Sequence, residues 1–124
     1  MIPGSKSDHP PFWRSFLFAV QGFRNAFRGE RNIKVMLAIG ACAVVAGFVL
    51  GLDLIEWALI ALCCGVVICV ELINTAIETV VDLVSPEFHP LAGRAKDVAA
   101  AAELVISVTA AVVGLLVYAR ALLG

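Results

Sequence analysis

Four polar side chains recur at helical spacing inside an apolar stretch of this 124-residue chain: Glu71, Asn74, Glu78 and Asp82. On a helical wheel the last three fall within about 60° of Glu71, so all four share one face, which we call the polar stripe. Ionisable groups at membrane depth are costly and usually mark a functional site. The wet end of a helix would explain Asp82, but it explains Glu71 and Asn74 less well because they lie deeper.

The depth of each residue in the stripe predicts a different role. About 20 residues counted from Leu54 cross a bilayer core, which puts the membrane boundary near Asn74. Glu71 then lies just inside the apolar edge, where a carboxylate suits a general base. Glu78 and Asp82 lie beyond that edge, and the hard oxygens of Glu78 suit Mg²⁺ bound together with phosphate.

Other charged residues are predicted on the same side of the membrane. Glu30 precedes the first apolar span, Arg14 and Arg24 line an amphipathic segment, and Lys96 and Asp97 precede the last span. Cations, carboxylates and an interfacial base are the components of phosphoryl transfer, although basic residues beside a membrane are more often anchors. The residues alone leave open a lipid-modifying enzyme, a proton- or ion-conducting subunit and a structural or regulatory subunit.

The elements that carry these residues are predicted to be membrane helices. Hydrophobic residues make up 61% of the chain and charged residues 15%, whereas soluble domains are nearer half and a quarter. We predict a single all-α integral membrane domain over 1–124, with three transmembrane helices and an amphipathic surface helix. In chain order its parts are a disordered lead at 1–11, the surface helix at 12–30, transmembrane helices at 33–52 and 54–84, a cytoplasmic connection at 85–97 and a third transmembrane helix at 98–123.

The distribution of charge predicts the orientation of the chain. Eight of the nine Lys and Arg residues lie before residue 35 or between 85 and 97. The positive-inside rule therefore places the N-terminus and the connection in the cytoplasm, with the reactive region of a multi-pass protein of the inner (cytoplasmic) membrane. The net charge of −1 gives no sign of a nucleic-acid partner, and the four cysteines, all in apolar runs, are expected to be packing residues.

Two motifs carry a resemblance to a known family. The run ELINTAIETVVD occupies 71–82, and AKD follows at 95–97 after Glu87, His89 and the pair Gly93 and Arg94. This pattern resembles the signature of the small prokaryotic diacylglycerol kinase family, which includes undecaprenol kinases. The resemblance extends over about residues 12–120, and neither the family nor this chain has a phosphate-binding P-loop.

The resemblance implies a fold, a reaction and a set of site residues. It implies a homotrimer with sites shared between subunits, and transfer of the γ-phosphate of ATP to a lipid hydroxyl with Mg²⁺. Glu71 is similar to the family's general base, which contacts the lipid, and Glu30 and Glu78 are similar to its Mg²⁺ ligands. By position the ATP-binding residues are Arg14, Asn74, Asp82, Glu87, His89, Lys96 and Asp97, and Arg24 is placed with the lipid substrate.

The family acts on more than one lipid, and several residues favour undecaprenol over diacylglycerol. The runs ERNIK at 30–34 and ELINTAIE at 71–78 look more like the undecaprenol kinase branch. Pro90 after His89 and the run VAA at 98–100 do so too. The resemblance therefore predicts an undecaprenol kinase that makes undecaprenyl phosphate, with a diacylglycerol kinase that makes phosphatidic acid as the alternative.

Overall fold

A computed structural model describes residues 11–124 of the chain, which contain four helices and no strand. The helices are α1 (Phe12–Gly29), α2 (Arg31–Leu50), α3 (Leu54–Val84) and α4 (Pro90–Leu123). Apart from Pro11, which precedes α1, the predicted disordered lead lies outside the described residues. The predicted all-α architecture, with an amphipathic first helix and three apolar helices, is confirmed.

Helices α2, α3 and α4 are each long and apolar enough to cross a membrane. The 31 residues of α3 extend for roughly 46 Å at 1.5 Å per residue, more than a bilayer core of about 30 Å. Most of the large apolar side chains on these helices are exposed. In a bilayer this is the expected arrangement, because lipid tails solvate apolar side chains as well as a protein interior does.

The helices α2 and α3 form a hairpin with a tight turn. Gly51 ends α2 with φ 68°, a left-handed conformation that glycine adopts without a steric penalty. Asp53 then caps α3: its Oδ1 accepts from the Glu56 backbone N–H at 2.8 Å, and Glu56 Oε1 accepts from the Asp53 backbone N–H at 3.2 Å. The hydrogen bond from the Glu56 N–H lowers the pKa of Asp53.

The most extensive contact between helices joins α3 to α4, which run antiparallel. Three pairs mark their register from the turn near Asp53 to the opposite end: Ile60 near Val117 in the buried cluster, Asn74 with Glu103, and Asp82 with Lys96. The steps between these pairs are nearly equal on both helices, so the two helices stay in register over about six turns. The Tyr118 hydroxyl also donates to the Ala43 carbonyl at 2.5 Å, which ties α4 to α2.

The last helix begins earlier than the sequence-based boundary at residue 98. Within the predicted connection at 85–97, only 85–89 are non-helical, and α4 begins at Pro90. Proline favours the first position of a helix, where its missing N–H is not needed. His89 caps the N-terminus of α4, because its Nδ1 accepts from the Leu91 backbone N–H at 3.1 Å. The same proline therefore begins a helix where the sequence analysis treated it as part of a loop.

Gly47 of α2 lies against the indole ring of Trp57. A Cβ atom added to Gly47 would lie 2.6 Å from Trp57 Cη2 and 3.0 Å from Leu52 Cδ1. The indole also packs against Phe48, with ring centroids 4.8 Å apart. Because the ring lies this close to the backbone at residue 47, α2 and α3 keep this approach only when residue 47 has no side chain.

We predict that Gly47→Ala lowers the melting temperature of the protein in detergent micelles. Overpacking costs about 1–3 kcal/mol, which outweighs the gain of about 1 kcal/mol in helix propensity. The matched control is Gly65→Ala in α3, where an added Cβ meets no atom within 4 Å. A melting temperature for Gly47→Ala as high as that of the control would contradict this account of the hairpin.

Candidate active site

The polar stripe lies along the contact between α3 and α4, and its residues become more exposed along the helix. Glu71 is only 1% exposed and Asn74 only 6%. Glu78 is half-buried, and the Asp82 side chain is 65% exposed. The facing segment of α4 is built of small residues, of which Ala99 is buried. Small side chains allow the two helices to approach closely, and this approach buries the deeper half of the stripe.

The Asn74 amide lies between two carboxylates at the centre of the site. Its Nδ2 donates to Glu78 Oε1 at 3.3 Å, one turn further along α3, and to Glu103 Oε2 at 3.4 Å on α4. An amide nitrogen carries two N–H donors, so both carboxylates are served by one group. This bridge is the polar contact that joins the middle of α3 to the middle of α4.

Glu103 is a site residue that the sequence analysis missed. It is the one acidic residue in the apolar stretch 98–123, so the rule that identified Glu71 applies to it equally. It also follows Lys96 by seven residues, which places both on the same face of a helix. Glu103 stands alone on α4, so it is not part of a clustered stripe on one helix.

Lys96 supplies the cation at the exposed end of the site. Its Nζ lies 2.5 Å from Asp82 Oδ1, and this is the one ion pair within residues 11–124. The two side chains of the pair are 41% and 65% exposed, so water screens their attraction and the pair contributes little to stability.

Glu30 lies at the junction of α1 and α2. Its backbone is extended, with φ −116° and ψ 119°, and it separates the two helices. Glu30 is half-buried. Hydrogen bonds join Asn74 to Glu78 and Glu103, and Glu71 lies on the same face of α3 as Asn74. We call these four residues, together with Glu30, the acidic cluster.

Several oxygen atoms of the acidic cluster are buried without a hydrogen-bond partner. Within residues 11–124 these are Glu71 Oε2, Asn74 Oδ1 and Glu103 Oε1. Buried acceptors without donors are costly, so the cluster is suited to a ligand that brings donors or cations. Hard oxygen ligands fit Mg²⁺, which commonly takes one or two carboxylates and completes its shell with phosphate and water. No three His, Cys, Asp or Glu side chains in this part of the chain lie together as a metal site of their own.

The remaining sequence-predicted residues are all exposed. Arg14 and Arg24 are exposed on α1, and the Arg14 guanidinium lies 5.5 Å from the centre of the Trp13 ring. Glu87 and His89 are exposed in the connection, where His89 caps α4.

Asp97 points to a different face of α4 from its neighbour Lys96. It is exposed and lines a shallow groove with Phe88, Gly93 and Arg94, whereas Lys96 contacts α3. Successive residues in a helix are about 100° apart, so adjacent residues cannot face the same neighbour. One chain therefore brings together Asn74, Glu78, Asp82 and Lys96 beside the buried Glu71. Glu30 is half-buried before α2, and the exposed residues are Arg14, Arg24, Glu87, His89 and Asp97.

Comparisons with known proteins agree on one family. The model of the family described as prokaryotic diacylglycerol kinase matches residues 17–118. An undecaprenol kinase of Bacillus subtilis is 41% identical over 107 residues, which cover 86% of this chain and 87% of the relative. A diacylglycerol kinase of Helicobacter pylori is 33% identical over 104 residues, 84% of this chain and 81% of the relative. A diacylglycerol kinase of Escherichia coli is 35% identical over 95 residues, 77% and 78% of the two chains.

We predict that Asn74→Asp lowers the melting temperature, because it replaces the shared donor with a third carboxylate between Glu78 and Glu103. The loss will be present near pH 7 and will fade as the pH falls below about 5, where carboxyl groups gain protons. The sign follows from repulsion: the folded variant binds the extra proton more tightly than the unfolded chain, so its relative stability falls as pH rises. Thermal unfolding at several pH values measures this.

The matched control for this prediction is Asp82→Asn at the exposed end of the stripe. It changes one side chain in the opposite direction and breaks the screened pair with Lys96, so the melting temperature stays the same within error. If Asn74→Asp is as stable as this control at pH 7, the amide bridge does not hold the centre of the site.

Proposed function

This chain belongs to the prokaryotic diacylglycerol kinase family and is a membrane lipid kinase, and we propose that undecaprenol is the lipid whose hydroxyl it phosphorylates with ATP. The Bacillus undecaprenol kinase, 41% identical over 87% of that protein, supports this substrate. A Synechocystis diacylglycerol kinase is also 41% identical, but that match covers 58% of the relative. The runs at 30–34 and 71–78, Pro90 and the run at 98–100 favour undecaprenol as well. Diacylglycerol is the alternative acceptor.

The observation that carries the catalytic proposal is the burial of Glu71 with an unpaired oxygen. Glu71 is 1% exposed, and its Oε2 has no hydrogen-bond partner within residues 11–124. A lipid hydroxyl that enters from the bilayer supplies the missing donor. Glu71 then takes the hydroxyl proton as the oxygen attacks the γ-phosphorus of ATP, the bond to the β-phosphate oxygen breaks, and ADP leaves.

We assign the metal nucleotide to the more exposed part of the cluster. Glu78 lies about 10 Å from Glu71 along the helix axis, at seven residues of 1.5 Å each, so the two carboxylates serve different groups. Glu30 and Glu78 would hold Mg²⁺, and the ion would supply charge neutralisation for the phosphates. Lys96, whose contact with Asp82 is exposed, would exchange that contact for the phosphates.

The outward residues support a shared site. Glu87, His89 and Asp97 are exposed at or near the connection, and Arg14 and Arg24 are exposed on α1. Because these side chains are exposed in a single chain, they would contribute to nucleotide and lipid binding when a second copy lies alongside. A homotrimer with sites between subunits satisfies this requirement, and the exposed apolar faces of the helices are available for its contacts.

We also propose the orientation of this multi-pass membrane protein. The acidic cluster opens toward the end of the molecule that carries Lys96 and the connection. Most of the basic residues lie before residue 35 or in the connection. This distribution favours the cytoplasmic side of the inner membrane for that end of the molecule. ATP is available on that side, so the orientation and the reaction agree.

The substrate is tested with purified protein in mixed micelles that contain undecaprenol and diacylglycerol in equal amounts, with radiolabelled ATP and Mg²⁺. We expect most of the label in undecaprenyl phosphate. If most of the label is found in phosphatidic acid, diacylglycerol is the preferred acceptor. No labelled lipid with Mg²⁺ present would contradict the kinase proposal, and ion flux in liposomes without nucleotide would then favour a conducting subunit.

The roles of the two glutamates are tested by a pair of matched substitutions. Glu71→Gln removes the base, so kcat falls by about 10²- to 10⁴-fold, while the Mg²⁺ concentration for half-maximal nucleotide binding stays the same. Glu78→Gln keeps the base but weakens a metal ligand, so the Mg²⁺ requirement rises. Kinetics at varied Mg²⁺ and calorimetric binding of Mg-ATP measure both. Full turnover in Glu71→Gln would refute its assignment as the base.

A further inference from the structure

Glu103 has no role in the reaction as assigned so far, yet it lies inside the acidic cluster. It is half-buried in the apolar part of α4, where a carboxylate is costly. Its Oε2 accepts from Asn74 Nδ2 at 3.4 Å, and its Oε1 is buried without a partner within residues 11–124. Lys96, the lysine two turns earlier on α4, pairs with Asp82 instead. The hydrogen-bond partner of Glu103 is therefore the Asn74 amide.

The amide is fixed by two acceptors from different helices. Glu78 Oε1 and Glu103 Oε2 lie 3.3 Å and 3.4 Å from the same nitrogen. A rotation of the amide by about 180° would bring Asn74 Oδ1 against both carboxylates, and two sets of like partial charges would repel. With Glu78 alone, the amide is tied only to its own helix. Both contacts are long for hydrogen bonds, so the orientation of the amide depends on having two acceptors. Glu103 adds the second anchor and connects it to α4.

The consequence concerns the carboxylate that is proposed to bind the metal. Asn74 donates to one oxygen of Glu78, which orients that carboxylate and leaves its other oxygen available. It also keeps Asn74 Oδ1, buried and unpaired, directed away from the two carboxylates. A hydrogen-bonded partner that holds a metal ligand in place commonly affects metal affinity by about tenfold or more.

We propose that Glu103 is a positioning residue of the phosphoryl-transfer site: through the Asn74 amide it orients Glu78 for the metal nucleotide. This proposal rests on the proposed function, because it takes Glu78 as a Mg²⁺ ligand. Glu103 acts as a hydrogen-bond acceptor, so its oxygen matters more than its charge.

The test compares Glu103→Gln with Glu103→Leu. Gln retains an acceptor oxygen for Asn74 and removes the charge, whereas Leu removes the acceptor and suits an apolar helix. We expect Glu103→Leu to raise the Mg²⁺ concentration for half-maximal activity and the KM for ATP by about five- to tenfold, the effect of losing one hydrogen bond. The kcat at saturating Mg-ATP changes less than twofold, and Glu103→Gln restores both constants to within about twofold of the native protein. The melting temperature of Glu103→Leu does not fall.

A double-substitution cycle shows whether the effect passes through the amide. In an Asn74→Ala background, Glu103→Leu will add no further loss, because the bridge is already absent. Thr109→Leu is the matched control: Thr109 is exposed on the same helix, and its hydroxyl bonds only to the Val105 carbonyl. Its constants stay the same as those of the native protein. Native constants in Glu103→Leu, equal impairment in Glu103→Gln and Glu103→Leu, or additive losses in the cycle would each overturn the proposal.

A second measurement does not depend on activity. The chain has three asparagines, at 25, 32 and 74, so ¹⁵N-asparagine labelling gives three side-chain amide signals, and Asn74→Ala identifies the one of interest. We expect this signal to shift and its protons to exchange faster in Glu103→Leu, and to remain near the native position in Glu103→Gln. An unchanged signal in Glu103→Leu would overturn the positioning role. If the signal behaves as expected while no lipid is phosphorylated, the proposed function fails and the amide bridge stands.

Discussion

The close packing of α4 on α3 buries Glu71 and Asn74, and the rest of the site depends on it. Apolar side chains gain nothing by leaving lipid for a neighbouring helix, so contacts between membrane helices rely on shape and on polar groups. Here small residues such as Ala99 let the helices approach, and Asn74 bridges to Glu103 in the space that this approach leaves. The hairpin made by Gly47, Gly51 and the Asp53 cap fixes the other side of α3.

The electrostatics of the site follow from this packing. The buried part of the contact between α3 and α4 holds hydrogen-bond acceptors with few donors. Lys96, which could balance their charge, lies at the exposed end and pairs with Asp82. Such an arrangement is costly by itself, because buried carboxylates need partners. In the reaction that we propose, the substrates would bring those partners: a hydroxyl proton for the buried Glu71, and a metal ion for the carboxylates nearer water. The excess of acceptors over donors costs stability, and it also favours binding of a ligand that supplies donors or positive charge.

The polar stripe and its order of depth were predictable from spacing alone, because helical periodicity fixes which residues share a face. Burial falls from Glu71 to Asp82 in that order. Two features were not predicted. Pro90 begins α4, since a proline is equally compatible with a loop and with the first position of a helix. Glu103 was missed because its partners lie on another helix, and no local pattern reports a contact across 29 residues of sequence.

The sequence by itself determined the class of the protein, the number of helices, the stripe and the family, since composition, periodicity and motif spacing are properties of the chain. Only the tertiary structure decided which charged residues meet. It brought Glu103 to the stripe, joined Lys96 to Asp82 and turned the adjacent Asp97 to another face. The reason is physical. The geometry of a residue's own helix fixes the direction of its side chain, but the register and packing of a second helix fix which residue that side chain contacts.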